Sequence, residues 1–479
     1  MPSCYAVKCQ KMSRNKFNVF SLFSGAGGMD LGFMLSNKFK ILFANDILPD
    51  TAETYTKNFH YEIINPNEIL PGIKLPIYIL GDIAKVDFDF LKSENPDVVI
   101  GGPPCQDFSL VRAYGREKHG IAVKRGRIYS YFISVLAHTQ PKIFAFENVP
   151  GLKSANRGNA YKVIIEDFLK LKIRWKEIRN TIGNSFTNDF KNYILIFSDV
   201  VDSASLGVPQ KRKRLIVIGV REDLLGNERQ IKDFKMKAEN LLLNKGSLLS
   251  KYPLTTLEVF EGLPLPELNH EYVEIMKEYK SIADAVGTQK ALDWEHNTWK
   301  NLSFNVVEDY FRANGTQPSF SREIDEAFEE HVKILKKLEY FKERIEEKFF
   351  EDGSNDPPNE LEKVRDRQKM IPPDENCLFV KGTKWEVEGR GKSLIYRRIH
   401  PLKSSYTIMA YGGGGTWGYH YRRGRSRLTN RERARLQTFP DKFIFKGNTT
   451  KVRAQIGEAV PPLLGEKVAE LADFVLKNI

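Results

Sequence analysis

The sequence has few cysteines, four in 479 residues. Cys4, Cys9, Cys105 and Cys377 are too scattered for a disulfide framework, which indicates a reducing compartment. Cys4 and Cys9 lack a second Cys or His pair at zinc-site spacing, and the eight histidines form no HExxH-type cluster. We therefore expect no metal site and no metal-assisted hydrolysis.

Long apolar runs are also missing. No stretch approaches the roughly 18 residues that a membrane span needs, and the first residues lack the apolar core of a signal peptide. No internal repeat is visible. These absences predict a soluble, cytoplasmic protein.

Basic residues are plentiful, since 73 Lys and Arg outnumber 61 Asp and Glu and give a formal net charge of +12. Such a charge favours a polyanionic partner, with nucleic acid as the first candidate and a membrane surface as the second. The length is sufficient for more than one domain.

Short apolar segments alternate with helix-like segments between residues 17 and 221. This alternation predicts an α/β fold, with a mostly parallel sheet and helices on both faces. The predicted strands are 19–23, 40–44, 98–100, 143–146, 193–197 and 215–220.

Residues 222–427 are more charged and poorer in strands, and Pro-rich or Gly-rich turns interrupt them. Apolar residues at helical spacing from Ile324 to Ile345 predict a long amphipathic helix near 322–350. This helix should stop at the breaker residues 353–358. A glycine run with an aromatic residue and then a basic stripe follow, at 411–417 and 422–435.

Cys105 follows a buried-strand pattern and a Gly-Gly-Pro-Pro turn. Such a turn holds a side chain at the carboxyl edge of a sheet, where open α/β folds bind ligands. A nucleophilic thiol would also need an activating environment. The alternative is a small buried hydrophobic side chain, and Cys105 alone does not decide between the two.

A glycine-rich turn follows the first predicted strand. Gly25, Gly27 and Gly28 would let a ligand lie against the backbone at the start of a helix. Asp30 stands where a dinucleotide fingerprint has its third glycine, which argues against a bound pyrophosphate and for a cofactor without phosphates. The alternative is an ordinary strand-to-helix turn.

Two more acidic residues end predicted strands. Asp46 is placed to accept hydrogen bonds from two ribose hydroxyls, and Asp82 to accept one from an adenine amino group. Together with the glycine turn they predict an adenosine-bearing ligand. Each acid alone also fits a helix cap or a turn.

A fourth acid and two arginines also point to chemistry. Glu147 follows an apolar strand, and burial there would raise its pKa and suit it to proton donation. Arg212 and Arg214 alternate on one strand face, where they would present two guanidiniums to a base oxygen or a phosphate. A solvated edge strand is the alternative.

In this order, the segments resemble the motifs of the DNA cytosine-5 methyltransferase family. The matching segments are 23–28, 102–109, 147–149, 210–214, 428–441 and 455–462. The resemblance implies a Rossmann-like S-adenosylmethionine-dependent methyltransferase domain and a smaller, irregular target-recognition domain. The implied division is a polar tail at 1–16, the catalytic domain at 17–221, the recognition domain at 222–427, a connection at 428–453 and a returning segment at 454–479.

The resemblance also implies residue roles. Cys105 would attack C6 of the cytosine, Glu147 would protonate N3, Arg214 would hold O2, and Arg212 would brace the pocket or bind a phosphate. The implied cofactor-binding residues are Phe23, Gly25, Gly27, Asp46, Ile47, Asp82 and Pro104, and the implied phosphate contacts are Ser109 and Arg125. No metal is required.

The implied substrate is a cytosine flipped out of a specific double-stranded DNA sequence. The basic segment 106–128 would be a mobile loop that closes over the flipped base, or simply a solvated basic loop. The resemblance suggests a monomeric bacterial restriction-modification enzyme, nucleoid-associated through DNA, with a companion endonuclease that forms no stable complex with it.

One departure and several alternatives remain. Glu458 stands where the family usually has Asn, and we expect altered cofactor affinity at most. Residues 222–427 match poorly, and sequence recognition should lie there, with 412–421 as the favoured stretch. The alternatives are an RNA (tRNA) cytosine-5 methyltransferase and a catalytically silent DNA-binding regulator. An adenine N6 methyltransferase is disfavoured, because its characteristic Pro-Pro-aromatic turn is missing.

Overall fold

The computed structural model describes residues 16–69, 73–87, 95–104, 128–183, 190–317, 321–388, 392–411, 416 and 418–479. The strands are β1 Phe17–Leu22, β2 Phe39–Asp46, β3 Glu62–Ile64, β4 Ile77–Leu80, β5 Val98–Gly101, β6 Ile143–Asn148, β7 Tyr193–Asp202, β8 Gln210–Lys211, β9 Lys213–Arg221 and β10 Ser405–Tyr406.

Helices account for most of the remaining regular structure. They are α1 Gly28–Leu35, α2 Pro49–Phe59, α3 Tyr129–Thr139, α4 Asn159–Leu169, α5 Leu171–Ile182, α6 Glu228–Leu242, α7 Leu248–Lys251, α8 Thr256–Glu261, α9 Asn269–Lys277, α10 Ile282–Val286, α11 Gln289–Asn297, α12 Val306–Asn314, α13 Ser321–Lys337, α14 Glu362–Gln368, α15 Asn430–Leu436, α16 Thr449–Glu458 and α17 Pro462–Leu476. No helix in the described ranges is long and apolar enough to cross a bilayer.

Eight strands form one sheet in the order β3-β4-β2-β1-β5-β6-β9-β7. All pairs from β3 to β6 are parallel, and β9 runs antiparallel to both β6 and β7. The mostly parallel α/β fold is confirmed, and each of the six predicted strands is present. Central strands such as β5 are apolar throughout because helices bury both of their faces.

Two helical layers cover the sheet. Helices α1, α2, α6, α16 and α17 pack on one face, and α3, α4 and α5 pack on the other. The last helix lies against the first at two glycines. A side chain at Gly32 would collide with the Pro462 carbonyl, and one at Gly465 would come within 2.8 Å of the Met29 carbonyl. This close packing seats α17 on the helix that follows the glycine-rich turn.

Residues 222–427 form mainly helices and turns around two apolar clusters, one of which also includes Val208, Leu436 and Leu463. Within the described part of this region the only named strand is β10, which pairs with β8. In place of strand pairing, hydrogen bonds from a buried arginine to backbone carbonyls connect the turns. Arg398 is 1 % exposed and donates to the carbonyls of Ile371, Gln368, His420 and Arg422.

The prediction of a helix near 322–350 is wrong in length, because α13 ends at Lys337. The next residues turn sharply, with left-handed φ angles of 64° at Glu339 and 62° at Lys342. Tertiary contacts hold this turn, since the Tyr340 hydroxyl donates to the Phe439 carbonyl at 2.6 Å and the Lys342 N–H donates to the Gly262 carbonyl at 2.8 Å. Ile345 lies on a separate short 3-10 turn.

Candidate active site

The carboxyl ends of the parallel strands bring the predicted site residues to one sheet edge. Leu22 of β1 is paired with Asn45 of β2 and with Gly101 of β5, and Gly101 is paired with Phe146 of β6. The glycine-rich turn, Asp46, the Pro-Pro turn and Glu147 therefore emerge side by side. This edge is where open α/β sheets bind ligands.

Asp46 is oriented by two backbone donors. Its Oδ2 accepts from the Gly25 N–H at 2.9 Å and its Oδ1 accepts from the Leu48 N–H at 3.0 Å. Burial raises the pKa of Asp46, and these backbone donors act in the opposite direction. Each carboxylate oxygen keeps a further lone pair, so Asp46 can also accept from the hydroxyls of a ligand.

Asp82 lies just after β4, at the same edge, and is exposed. Its Oδ1 accepts from the Ala84 N–H at 3.0 Å and caps a short 3-10 helix. Asp82 is therefore a helix N-cap, as one of the two interpretations of the sequence had it. The second oxygen remains available at the sheet edge.

The glycines of the turn have different roles. Gly25, with a φ of 54°, has open space where a side chain would be. At Gly27 that space is filled by the ring of Phe59, and at Gly28 by the Val460 carbonyl. The missing side chains of Gly27 and Gly28 therefore permit packing within the protein, and the contact of their backbone with a ligand stays a prediction.

Asp30, which occupies the position of the third fingerprint glycine, is buried within the protein. It is 1 % exposed and its Oδ1 accepts from the Tyr55 hydroxyl at 2.8 Å, so it does not face a ligand. Burial raises the pKa of Asp30 to about 6. The acid at this position is therefore explained by its hydrogen bond between α1 and α2.

Glu147 and Arg214 form an ion pair with 2.9 Å between Oε1 and Nε, and each side chain is 13 % exposed. Burial raises the pKa of Glu147, whereas the charges of Arg214 and Arg212 lower it. The other carboxylate oxygen lies against Gly102, where a Cβ atom would come within 2.6 Å. Glu147 is thus held between an arginine and the start of the Pro-Pro turn.

The Pro-Pro turn is fastened to the end of β6. The Asn148 side-chain N–H donates to the Pro103 carbonyl at 3.2 Å, and its Oδ1 accepts from the Val149 N–H at 2.9 Å. Pro104 follows and is exposed. Cys105, Ser109 and Arg125 lie outside the described residues, so the nucleophile and the two phosphate contacts stay predictions.

Arg212 is fully buried and donates to three carbonyls. The partners are Ile408 at 3.2 Å, Gly457 at 2.7 Å and Ala459 at 2.9 Å. Of the two roles expected, these contacts fit bracing of the pocket and not a phosphate contact, which would require an accessible guanidinium. Arg212 cross-links the segments around 212, 408 and 457–459.

Tyr411 is a residue of this edge that the sequence did not single out for the cofactor site. Its hydroxyl lowers the pKa of the nearby Glu458 carboxyl, and 60 % of the tyrosine is exposed. In the sequence, Tyr411 was notable only because it begins the glycine run at 411–417. Ile47 is 61 % exposed next to Asp46, and Phe23 is partly buried with a φ of 54°.

This geometry fits an adenosine-bearing ligand. Gly25 opens away from the protein, Asp46 offers an oriented carboxylate, and the exposed side chain of Ile47 offers an apolar surface beside them. Such a mixture of apolar surface and a few placed polar groups is typical of cofactor sites.

Comparison with known proteins relates the whole chain to one group. The family described as C-5 cytosine-specific DNA methylase matches residues 17–472. The DNA (cytosine-5-)-methyltransferase M.ApeKI of Aeropyrum pernix is 49 % identical over 472 residues, which are 97 % of this chain and 100 % of that protein. The type II methyltransferase M.NgoFVII of Neisseria gonorrhoeae is 31 % identical over 97 % of this chain and 87 % of its own length.

A solved structure agrees in fold. A DNA modification methyltransferase encoded within a prophage, from E. coli, superimposes with a TM-score of 0.53 at 18 % identity, covering 97 % of this chain and 100 % of its own. At this identity the likeness concerns the architecture alone.

Proposed function

Because this chain belongs to the C-5 cytosine-specific DNA methylase family and is a DNA (cytosine-5-)-methyltransferase, we propose that it methylates C5 of a flipped-out cytosine within a specific double-stranded sequence. The observation that supports this best is the Glu147–Arg214 pair beside the turn that leads to Cys105. An acid and a cation thereby lie beside Gly102, three positions before the expected nucleophile in the sequence.

The family uses S-adenosylmethionine, which supplies the methyl group as an electrophile when bound. Gly25 and Asp46 would hold its adenosine part, with Asp82 and Ile47 at the same edge. We further assign Phe23, Gly27 and Pro104 to this site through the family motifs, Gly27 acting through its packing on α2.

Covalent addition makes the cytosine ring reactive in the proposed mechanism. The Cys105 thiolate forms a bond to C6 while Glu147 gives a proton to N3, and C5 becomes nucleophilic enough to accept the methyl group. Loss of the C5 proton to solvent water and cleavage of the carbon–sulfur bond, which releases the Cys105 thiolate, then restore the aromatic ring, and the N3 proton returns to Glu147.

Arg214 has a second role in this proposal. In the described state its guanidinium is paired with Glu147 and lowers the pKa of that carboxyl. A cytosine O2 that binds Arg214 would weaken this pair, so entry of the base would favour the protonated form of Glu147 that the reaction needs. Arg212 would act by bracing the pocket.

The type II relatives support a restriction-modification role, in which the protein protects host DNA from an endonuclease that acts on the same site. We propose a monomer that binds DNA through Lys and Arg, with Ser109 and Arg125 on phosphates. Its DNA affinity should fall steeply with salt.

The test is bisulfite sequencing of DNA from a host that expresses the protein, which reports activity, base and sequence context together. Cys105→Ala should abolish methylation and leave DNA binding intact, whereas Cys377→Ala, which removes a buried cysteine of the 222–427 region, should keep activity. Methylation of tRNA without duplex DNA would favour the RNA alternative. Activity in Cys105→Ala would refute the mechanism, and DNA binding without any methylation would indicate a silent regulator.

A further inference from the structure

Residues 457–460 are rigidly attached beside the glycine-rich turn. Arg212 donates to the carbonyls of Gly457 and Ala459, on either side of Glu458. The Val460 carbonyl occupies the space where a side chain of Gly28 would lie. The backbone at Glu458 therefore has one defined position relative to the candidate cofactor site.

Helix α16 brings Glu458 towards Asp46. The Gln455 side-chain N–H donates to the Asp50 carbonyl at 3.2 Å, and its Oε1 accepts from the Thr54 hydroxyl at 2.7 Å, so the end of α16 packs along the start of α2. Glu458 is nearly one turn beyond Gln455, and Asp46 lies three residues before the start of α2 at Pro49. The two carboxylates consequently border the same edge.

The segment 408–411 covers this arrangement from the other side. A side chain at Gly457 would collide with the backbone of Ala410, and Arg212 also donates to the Ile408 carbonyl at 3.2 Å. Glu458 and Tyr411 are both exposed at this rim, and the Tyr411 hydroxyl favours the charged form of the Glu458 carboxylate.

The charge around Glu458 is not fully compensated. Burial raises the pKa of Glu458 and the charge of Asp46 raises it further, whereas Tyr411 and Arg212 lower it. The Arg212 guanidinium is buried and its terminal nitrogens bond to backbone carbonyls. An incoming cation would therefore find negative charge at this rim.

We propose that Glu458, together with Asp46, makes the cofactor site select cationic S-adenosylmethionine over its neutral product S-adenosylhomocysteine. The two ligands differ by the methyl group and the positive charge of the sulfonium. A carboxylate in place of the family's usual amide attracts only the charged one, which lessens inhibition by product. This inference rests on the proposed function, because it assumes that S-adenosylmethionine binds at this edge.

Isothermal titration calorimetry of the full chain without DNA measures both dissociation constants directly. Wild type, Glu458→Gln and the control Glu53→Gln are titrated with S-adenosylmethionine, S-adenosylhomocysteine and sinefungin, which carries an ammonium in place of the sulfonium. Glu53 is an exposed carboxylate on α2, so its variant makes the same charge change away from the rim. Near-surface Coulomb energies predict a fall of about threefold to tenfold in the preference for the two cationic ligands in Glu458→Gln alone.

Tyr411→Phe provides a second variant, which keeps the carboxylate and removes the hydroxyl that favours its charged form. It should reduce the preference in the same direction but less. In wild type, added salt should weaken binding of S-adenosylmethionine more than that of the neutral product. An unchanged ratio in Glu458→Gln, with both ligands still bound, overturns the selectivity proposal alone. Failure of wild type to bind either ligand overturns this inference and the cofactor assignment of the proposed function together.

Discussion

The Glu147 carboxylate lies so close to Gly102 that a methyl group on Gly102 would come within 2.6 Å of Oε2. The parallel pairing of Gly101 with Phe146 brings these two residues side by side at the sheet edge. Since Arg214 holds the other oxygen of the carboxylate, the acid has little room to move. The absence of a side chain at Gly102 thus helps to set the position of Glu147.

Gly102→Ala should therefore lower the turnover number for methyl transfer about 100-fold, because displacing a reacting group by about 1 Å has a cost of this size. The melting temperature should change little, since only the end of one side chain must move. Gly101→Ala is the matched control. Its methyl would come within 2.6 Å of the Leu22 carbonyl, a backbone atom, so it should lower the melting temperature instead. Full activity in Gly102→Ala would contradict the placement of Glu147.

Glu147→Gln should reduce the turnover number by about 100-fold or more, since the amide cannot give a proton to N3. Binding of S-adenosylmethionine should be unchanged because Glu147 bonds to Arg214 and not to the glycine-rich turn. Steady-state kinetics combined with calorimetry separate these two effects. Equal losses in cofactor binding and in turnover would show that Glu147 has a structural role.

Arg212→Met should destabilise the fold by about 3 kcal/mol, since it leaves buried carbonyls of residues 408, 457 and 459 without a partner. Binding of S-adenosylmethionine should weaken as well, because residues 457–460 border the glycine-rich turn. Chemical denaturation and calorimetry test both effects. The adjacent Lys213 is exposed, and Lys213→Met should change neither quantity.

Asp30 should make stability depend on pH. Burial raises its pKa to about 6, above the value of about 3.9 for an exposed Asp. Its contribution is therefore full below about pH 4 and is lost as the pH rises through 6, a difference of about 3 kcal/mol. Asp30→Asn has no proton to lose, so relative to wild type it should be more stable at pH 7.5 than at pH 4.

Denaturation midpoints of wild type and Asp30→Asn at several pH values measure this difference. Asp325→Asn, which alters an exposed carboxylate on α13, serves as the control and should follow the wild-type curve. Parallel pH curves for wild type and Asp30→Asn would show that Asp30 titrates as it does in the unfolded chain.

Arg398→Met should impair the structure of the 222–427 region and leave the structure of the catalytic region intact. Its guanidinium holds carbonyls at residues 368, 371, 420 and 422, all in the region expected to recognise DNA. We expect loss of sequence-specific DNA binding in a gel-shift assay, with binding of S-adenosylmethionine retained. Simultaneous loss of cofactor binding would show that the two regions do not keep their structures independently.

The α/β fold and its strands were predictable from the sequence because their signal is local. A strand that is buried on both faces, such as β5, needs a continuous apolar run, and that run can be read directly. The acids and glycines at strand ends were found for the same reason, since parallel strands bring their carboxyl ends together. The family motifs then connected these residues to one chemistry.

The roles of individual side chains depended on contacts between residues far apart in the chain. Arg212 was expected to brace the pocket or bind a phosphate, and its bonds to carbonyls about 200 and 245 residues away favour the first role. Side chains at Gly27 and Gly28 would collide with α2 and with the Val460 carbonyl. Asp30 accepts a hydrogen bond from the Tyr55 hydroxyl. No local pattern carries such information.

By itself the sequence determined the α/β sheet, the edge at which the chemistry lies and the family, because hydrophobic periodicity and short motifs are properties of neighbouring residues. Only the tertiary structure decided where α13 ends, which glycine of the turn has open space beside it, and that the end of α16 packs along α2. Those outcomes depend on packing and hydrogen bonds between distant segments, and such contacts exist only once the chain has folded.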